Sequence, residues 1–303
     1  MDIGLINLPM QAEIKEQYGE LRDTARTHFD MQQTRIRIEN RCYASLLDTM
    51  GEDAPKRDTA AFRKMCASYY RGNPVDEDGN ILPMDSLEEG TYELLVKAET
   101  FAGKLLDSQM RAIVGPFVGT WLETPGSGDR TVARLLGEIG HPIVAFPSHW
   151  EEGDEDEGED KRVLVSDDPF VRRVSDLWAY TGHGDPTRKR EVGIDQATAL
   201  ALGNPRAKSL VYLMAENCKR LNGGITSTGK PRKFSPYRNV YDTKQEHYKV
   251  ARPEWTPGHR QQSCLRIVGK EILRDLYNAS LADLVKSGAV ETGVLDARQA
   301  KAA

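Results

Sequence analysis

The sequence predicts a mainly α-helical protein: a long, coiled-coil-like helical hairpin followed by a second helical domain organised around a tight glycine turn. Three observations predict it. Residues 11–50 contain no proline and a single glycine. Within them Ile14, Tyr18, Leu21, Ala25, Phe29, Ile36, Tyr43, Leu46 and Leu47 fall near one helical stripe, close to a heptad seam that breaks at Gln32. The segment 117–140, FVGTWLETPGSGDRTVARLLGEIG, reads as helix, Pro-Gly-Ser-Gly turn, helix. Alternating, period-two runs that would make strands are few.

Length and composition bound the reading. The 303 residues suffice for one large or two modest domains, and 39% hydrophobic with 29% charged residues describes a globular chain with a strongly charged surface. The formal net charge of −5 argues against a bulk nucleic-acid coat. Its distribution is uneven. The run EEGDEDEGEDK at 151–161 is acidic and reads as a disordered surface insertion. The segment from Arg206 to Arg274 is basic: in its first half Arg206, Lys208, Lys219, Arg220, Lys230, Arg232, Lys233 and Arg238 face one acid, Glu216, which predicts a basic face or, more blandly, a solvated one. Cys42, Cys66, Cys218 and Cys264 form no CxxC pair and read as free thiols of a reducing compartment. No apolar run reaches membrane-span length and the N-terminal residues lack a signal-peptide layout, so the expectation is a cytoplasmic protein with no membrane partner.

The elements follow in order. After the first long helix, 51–58 is a polar break, 59–71 a short helix and 72–86 a loop rich in Gly, Pro, Asn and Asp. Ser86 and Glu89 resemble a capping box opening a second long helix over 87–114, with Leu94, Leu95, Ala98, Phe101, Leu105 and Ile113 as its apolar side. Residues 1–114 form an arm suited to homodimerisation. Residues 115–221 form the second domain, with helices over 168–180 and 205–221 and a loop over 181–194. Residues 222–287 are a basic helical extension with a loop over 222–236 and helices over 235–250 and 259–285; 288–303 read as a disordered tail.

The turn carries the first functional suggestion. Gly126 and Gly128 suit positions needing positive φ or a close backbone approach, Asp129 and Thr131 open the next helix, and Val132, Leu135, Leu136 and Ile139 give it an apolar side with a small Ala133 for close packing. The pattern resembles the helix-hairpin-helix DNA-binding motif, although Ser127 stands where that motif has an apolar residue. A glycine turn opening a helix offers backbone N–H groups at the positive end of the dipole, which suits a phosphate without reading bases. An ordinary turn between packed helices is the alternative.

The order of PGxGxxxAxxLLxEIG, LWAYTGHG and NPRAKSLVYLMAENCKR resembles the C-terminal domain of the insertion-sequence transposase family that includes insertion sequences 110, 116 and 902. The matching residues are Pro125, Gly126, Gly128, Ala133, Leu135, Leu136, Glu138, Ile139, Gly140, Leu177, Ala179, Tyr180, Gly182, Asn204 and Lys208, over about residues 87–221. SPYRNVYD at 235–242 and KEILRDL at 270–276 are similar to segments of shorter relatives. The resemblance implies a helical arm before a helix-hairpin-helix, DNA as partner with RNA open as a second, and a role in transposition or recombination. Two departures limit it. The chain starts with helices where the family has a RuvC-like nuclease domain with four carboxylates. It also has DPTRKREVG where the family places a nucleophilic serine. Whether the chain is an enzyme therefore stays undecided.

Other constellations are weaker. Gly224 to Lys230 matches GxxxxGK, but Pro231 replaces the Ser or Thr that would hold magnesium, and a helix precedes it. Cys218, His247, His259 and Cys264 fit no zinc spacing. Tyr237, Arg238, Tyr241, Asp242 and His247 form a polar-aromatic set in which Tyr241 or Ser235 could act as nucleophile with His247 or His259 as base; Tyr241, Asp242 and His259 are the catalytic candidates of an alternative, nucleic-acid-modifying reading. A non-catalytic helical scaffold is the remaining alternative. No cofactor is predicted, and a divalent metal enters only if the chain is catalytic. The phosphate-binding set expected is Gly126, Ser127, Gly128 and Arg130, joined by Arg188, Lys189, Arg190, Lys208, Lys230, Arg232 and Lys233.

Overall fold

The computed structural model describes residues 8–51, 91–152, 162–185, 202–225 and 229–289, together with Ala61 and Gly193. The chain is mainly α-helical. The described helices are α1 (Leu8–Met50), α2 (Thr91–Ile113), α3 (Pro116–Leu122), α4 (Asp129–Ile139), α5 (Val174–Tyr180), α6 (Pro205–Arg220), α7 (Pro236–Ala251) and α8 (Pro257–Lys286). Four short strands lie between α4 and α5: β1 (Val144–Ala145), β2 (Ser148–Glu152), β3 (Arg162–Ser166) and β4 (Phe170–Val171). The chain divides into two compact units, Asp23–Ser108 and Met1–Arg22 with Gln109–Ala303.

Proline at the first helical turn starts α3, α6, α7 and α8. Its fixed φ and missing N–H cost nothing there. Asn204 caps α6 by accepting from the N–H groups of Arg206 and Ala207, at 2.9 and 3.1 Å. Thr256 caps α8 by accepting from His259 N at 3.2 Å. The first turn of α3 is capped from a distance: Asp283 on α8 accepts from Phe117 N at 2.9 Å and Val118 N at 3.0 Å. This approach requires Gly115, where a Cβ would stand 2.3 Å from the Asp283 carboxyl carbon.

In the larger unit α8 is the central element, packing against α7, α6, α3 and α5. Its buried row includes Leu265, Val268, Ile272, Leu276 and Leu284. α4 buries Val132, Ala133, Leu135, Leu136 and Ile139 and packs on α6. Two polar networks in this core have their partners met. Trp121 Nε1 donates to the Tyr237 hydroxyl at 2.9 Å, which donates to Asp275 Oδ2 at 2.9 Å. The buried Arg172 donates from Nη1 to the carbonyls of Ile139 and His141, at 2.8 and 2.9 Å.

The smaller unit holds α1 from Asp23 to its end and most of α2, linked by Arg35, which pairs with both Glu39 and Glu99. The apolar side expected for α2 is rotated. Ala102 and Leu106 are buried, whereas Leu94, Phe101 and Leu105 are 66, 70 and 41% exposed. Two helical rows both carry apolar residues, and the sequence alone does not say which one meets α1.

The strands correct two expectations. The acidic run does not begin as a loop: Glu151 and Glu152 sit in β2, opposite Val163 and Arg162 of β3, and the remainder of 153–161 lies outside the described residues. The helix expected over 168–180 starts at Val174, because Phe170 and Val171 pair with Ala145 and Val144. Asp176 then accepts from Arg173 N at 2.7 Å and fixes the helix start. The short helix expected over 59–71, the loop over 72–86 and the tail beyond 289 also lie outside the described residues, apart from Ala61.

Candidate nucleic-acid interface

The turn between α3 and α4 is built by local bonds. Glu123 N donates to Thr120 O, Thr124 N to Trp121 O, and Ser127 N to Thr124 O at 3.1 Å. Gly126 has φ +108 and presses on α6, so that a Cβ there would stand 2.4 Å from Cys218 Sγ. Both reasons a sequence can require glycine hold at this position. Gly128 is different. Its backbone is extended, φ −66 and ψ 126, it caps α4, and a Cβ would meet nothing within 4 Å.

The phosphate role expected of this turn narrows accordingly. Gly126 is committed to packing on Cys218. Ser127 is 4% exposed, with a hydroxyl that has no hydrogen-bond partner, so it takes the packing role of the motif's apolar residue. Gly128 is exposed and Arg130 half-buried at the start of α4. Arg111, at the end of α2, pairs with Asp129 in the first turn of α4 and is 65% exposed. It offsets the Asp129 carboxylate at the helix start, a partnership across 18 residues of chain that no local motif reveals.

The basic loop after α6 is a small ribbon. Asn222 pairs with Phe234 and Ile225 with Pro231, in antiparallel bridges. Arg232 N donates to Gly224 O at 2.9 Å, and Ser235 N closes the ribbon on Leu221 O at 2.9 Å. Lys230, Arg232 and Lys233 are exposed on it, and so are Ile225 at 73% and Phe234 at 45%. Among the described residues no carboxylate pairs with Arg232 or Lys233. Pro231 sits in a bridge and helix α6 precedes the ribbon, neither of which belongs to a nucleotide-binding loop.

Turn and ribbon both adjoin the C-terminal end of α6. Gly126 rests on Cys218, whose Sγ lies 4.0 Å from Pro125 O, and the ribbon starts four residues later at Asn222. Arg238 Nη1 holds the same helix end by donating to Lys219 O at 2.6 Å. The exposed Gly128, Arg130 and Arg111 thus lie at one side of the C-terminal end of α6, with Arg232 and Lys233 at its continuation. Lys208 is not part of this group: it lies in the first turn of α6, ten residues from Cys218, about 15 Å along the axis. Arg188, Lys189 and Arg190 lie outside the described residues.

The alternative catalytic candidates do not converge. Tyr241 is 7% exposed, between Arg238 and Lys219, and burial pushes its hydroxyl up, away from ionisation. Asp242 is engaged with Arg238 at 2.7 Å. His259 stacks on Trp255, with ring centres 4.2 Å apart. Ser235 is fully buried. Among the described residues no hydrogen bond joins Tyr241 or Ser235 to His247 or His259. Nor do any three His, Cys, Asp or Glu side chains among them gather to hold a metal ion. Cys218 and Cys264 are free and buried. No described helix is long and apolar enough to cross a membrane. No protein-family model, curated protein or solved structure matches the chain.

Proposed function

We propose that this chain is a DNA-binding protein of transposase type, acting in DNA transposition or recombination and gripping backbone phosphates with a helix-hairpin-helix. The observation that carries the reading is that the α3–α4 turn and the basic ribbon both adjoin the C-terminal end of α6. A phosphate beside Gly128 would face the start of α4, where the helix dipole and Arg130 favour an anion and Arg111 offsets the carboxylate of Asp129. The ribbon would place Arg232 and Lys233 on neighbouring phosphates, and its exposed Ile225 and Phe234 would lie against the sugar or groove edge. Nothing in this set reads bases, so the sequence preference is weak. The overall charge of −5 makes the binding local rather than a general coat.

The test is duplex DNA binding across a salt series. Wild type is expected to show a steep fall in affinity with salt. Arg232→Gln/Lys233→Gln is expected to lower the magnitude of the log–log slope by about two, at one contact per cation. Gly128→Glu, which the open space tolerates, is expected to weaken binding by repulsion with no loss of helicity. Wild type that fails to bind DNA at low salt sinks the reading. Binding to RNA in preference to DNA would redirect it to that partner.

We further infer that the chain forms a homodimer through α2. Leu94, Ala98, Phe101 and Leu105 follow a 4-3-4 spacing, the seam of a coiled coil, and the first, third and fourth are exposed. They edge an open groove lined also by Thr24, Thr27 and Met31 of α1. Charge selects a second copy as the occupant. Lys97 and Lys104 flank the seam on α2, Asp23 and Asp30 lie one heptad apart on α1, and none of the four is ion-paired among the described residues. The α2 of one copy laid in the groove of another sets these rows against each other. Sedimentation should give a dimer for wild type and a monomer of unchanged helicity for Phe101→Glu; a monomeric wild type at every concentration ends the idea.

A further inference from the structure

We propose that Lys208, Arg266 and Lys270, gathered on the turn after α5, form a second phosphate seat for the same nucleic acid; this rests on the DNA-binding reading above. The seat is assembled from three elements. The turn starts where α5 ends, with His183 N donating to Trp178 O at 2.7 Å. The stem of Lys208, from α6, lies across the turn, with its Cδ 3.1 Å from the Cβ position of Gly182. Arg266, from α8, donates from Nη2 to Gly184 O at 2.8 Å. Lys270, one turn further along α8, holds its Nζ 4.6 Å over the Trp178 ring, and its carbonyl accepts from Trp178 Nε1 at 3.1 Å.

The floor of the seat is His183, which is 4% exposed. Its Nδ1 lies 2.8 Å from Thr181 O, a contact that only a protonated Nδ1 can make as a donor, so Nε2 carries no proton in the neutral ring. The three charges that bear on this ring are Lys208, Arg266 and Lys270, all cations. Burial first, then Arg266, also lowers Lys270 below the usual lysine range. Among the described residues no ion pair joins Lys208, Arg266 or Lys270 to a carboxylate. Three cations held together on a rigid turn repel one another unless an anion sits among them. A phosphodiester fits, with the planar Arg266 group and two lysines as donors. The seat lies at the other end of α6 from the α3–α4 turn. The two are about 15 Å apart along that helix, or four to five steps of a strand at about 3.4 Å each. One duplex of a single helical turn can lie across both.

The experiment compares wild type, Lys208→Gln/Lys270→Gln and Arg232→Gln/Lys233→Gln in DNA binding over a salt series, with inorganic pyrophosphate as a second probe read by thermal shift. Arg266→Gln is the third variant; it is kept separate because it also removes the bond to Gly184. Losing the seat in the Lys208/Lys270 variant should lower the magnitude of the salt slope by about one and weaken low-salt binding on the order of tenfold, additively with the ribbon variant. Pyrophosphate should raise the melting temperature of wild type and not of that variant. A Lys208/Lys270 variant that keeps the wild-type slope, while the ribbon variant loses its share, overturns the second seat and leaves the first reading intact. Pyrophosphate stabilisation through these lysines in a protein that binds no DNA overturns the nucleic-acid assignment and marks a small-anion site.

Discussion

Gly126→Ala is expected to destabilise the larger unit by about 3 kcal/mol, summing a left-handed backbone strain of about 1–2 kcal/mol with an overpacking cost of about 1–3 kcal/mol. The backbone at Gly126 has φ +108, and the new Cβ would stand 2.4 Å from Cys218 Sγ and 3.2 Å from Cys218 Cα. The side chain can yield a little; the backbone atom of α6 cannot. The contact also gives the prediction its control. Cys218→Ala removes the sulfur but not the φ, so the double variant Gly126→Ala/Cys218→Ala should be less destabilised than the two single costs summed, with a coupling of about 1–2 kcal/mol. Gly128→Ala should be neutral or stabilising by up to about 1 kcal/mol, since φ −66 suits any residue and the space is open. Urea unfolding of the four variants decides it. Equal stability of Gly126→Ala and wild type would mean that the turn does not pack on α6. Gly126 variants are consequently unsuited to testing DNA binding, because they move the fold and the interface together; Gly128, Arg232 and Lys233 separate the two.

Much of the fold was legible because proline and capping residues punctuate it. The expected helices over 205–221, 235–250 and 259–285 correspond to α6, α7 and α8 to within two residues, with Pro205, Pro236 and Pro257 at their starts. The first half of the α1 stripe is in the core, with Ile14, Tyr18, Leu21 and Ala25 buried. What was not legible depends on partners far away in the chain. The buried row of α2, Ala102 and Leu106, differs from the expected one because helical periodicity finds a row but not what it meets. The strands escaped because two-residue pairings such as Val144 with Val171 have no period to detect. Their pairing is extended by Arg172, whose N donates to Ile143 O at 2.7 Å while its side chain binds the end of α4.

The candidate site was legible in part for the same reason. The two glycines pointed to a constrained turn, and Gly126 meets both constraints that were considered, while Gly128 meets neither. The lysines and arginine of 230–233 were visible as a basic stretch, but the bridge that makes them a ribbon needs Asn222 and Phe234 to pair. Arg266 and Lys270 could not be distinguished from the solvated face of a long helix. Only the turn around His183, some eighty residues earlier, gives them a common purpose.

Acid should unfold the larger unit steeply, with an uptake of close to two protons between about pH 6.5 and 4. His141 is buried and its Nδ1 accepts from Ile143 N at 3.1 Å and Val144 N at 3.2 Å, so that nitrogen has no room for a proton. Burial, and after it the cation of Arg172, pushes His141 down to about 3. Burial first, and then the surrounding cations against the bond to Thr181, pushes His183 down to about 4. Both folded values lie below the ordinary value of about 6.5, so the neutral rings stabilise the fold fully above that pH. The contribution is lost as pH falls from there through 4 and toward 3. Each histidine that binds a proton only on unfolding adds about 1.4 kcal/mol per pH unit, so the pair gives a slope of about 3 kcal/mol per unit. Two units on that slope remove about 6 kcal/mol, comparable with the lower end of the stability of an ordinary domain, about 5–15 kcal/mol. His183→Gln, which keeps a neutral polar side chain, should reduce the uptake to about one proton even if the variant is less stable at pH 7. Denaturant unfolding at a series of pH values measures it. A stability that stays flat from pH 6.5 to 5 would mean that at least one imidazole reaches water, and with it that the α4–β1 corner or the turn under Lys208 is looser than the packing around His141 and His183 implies.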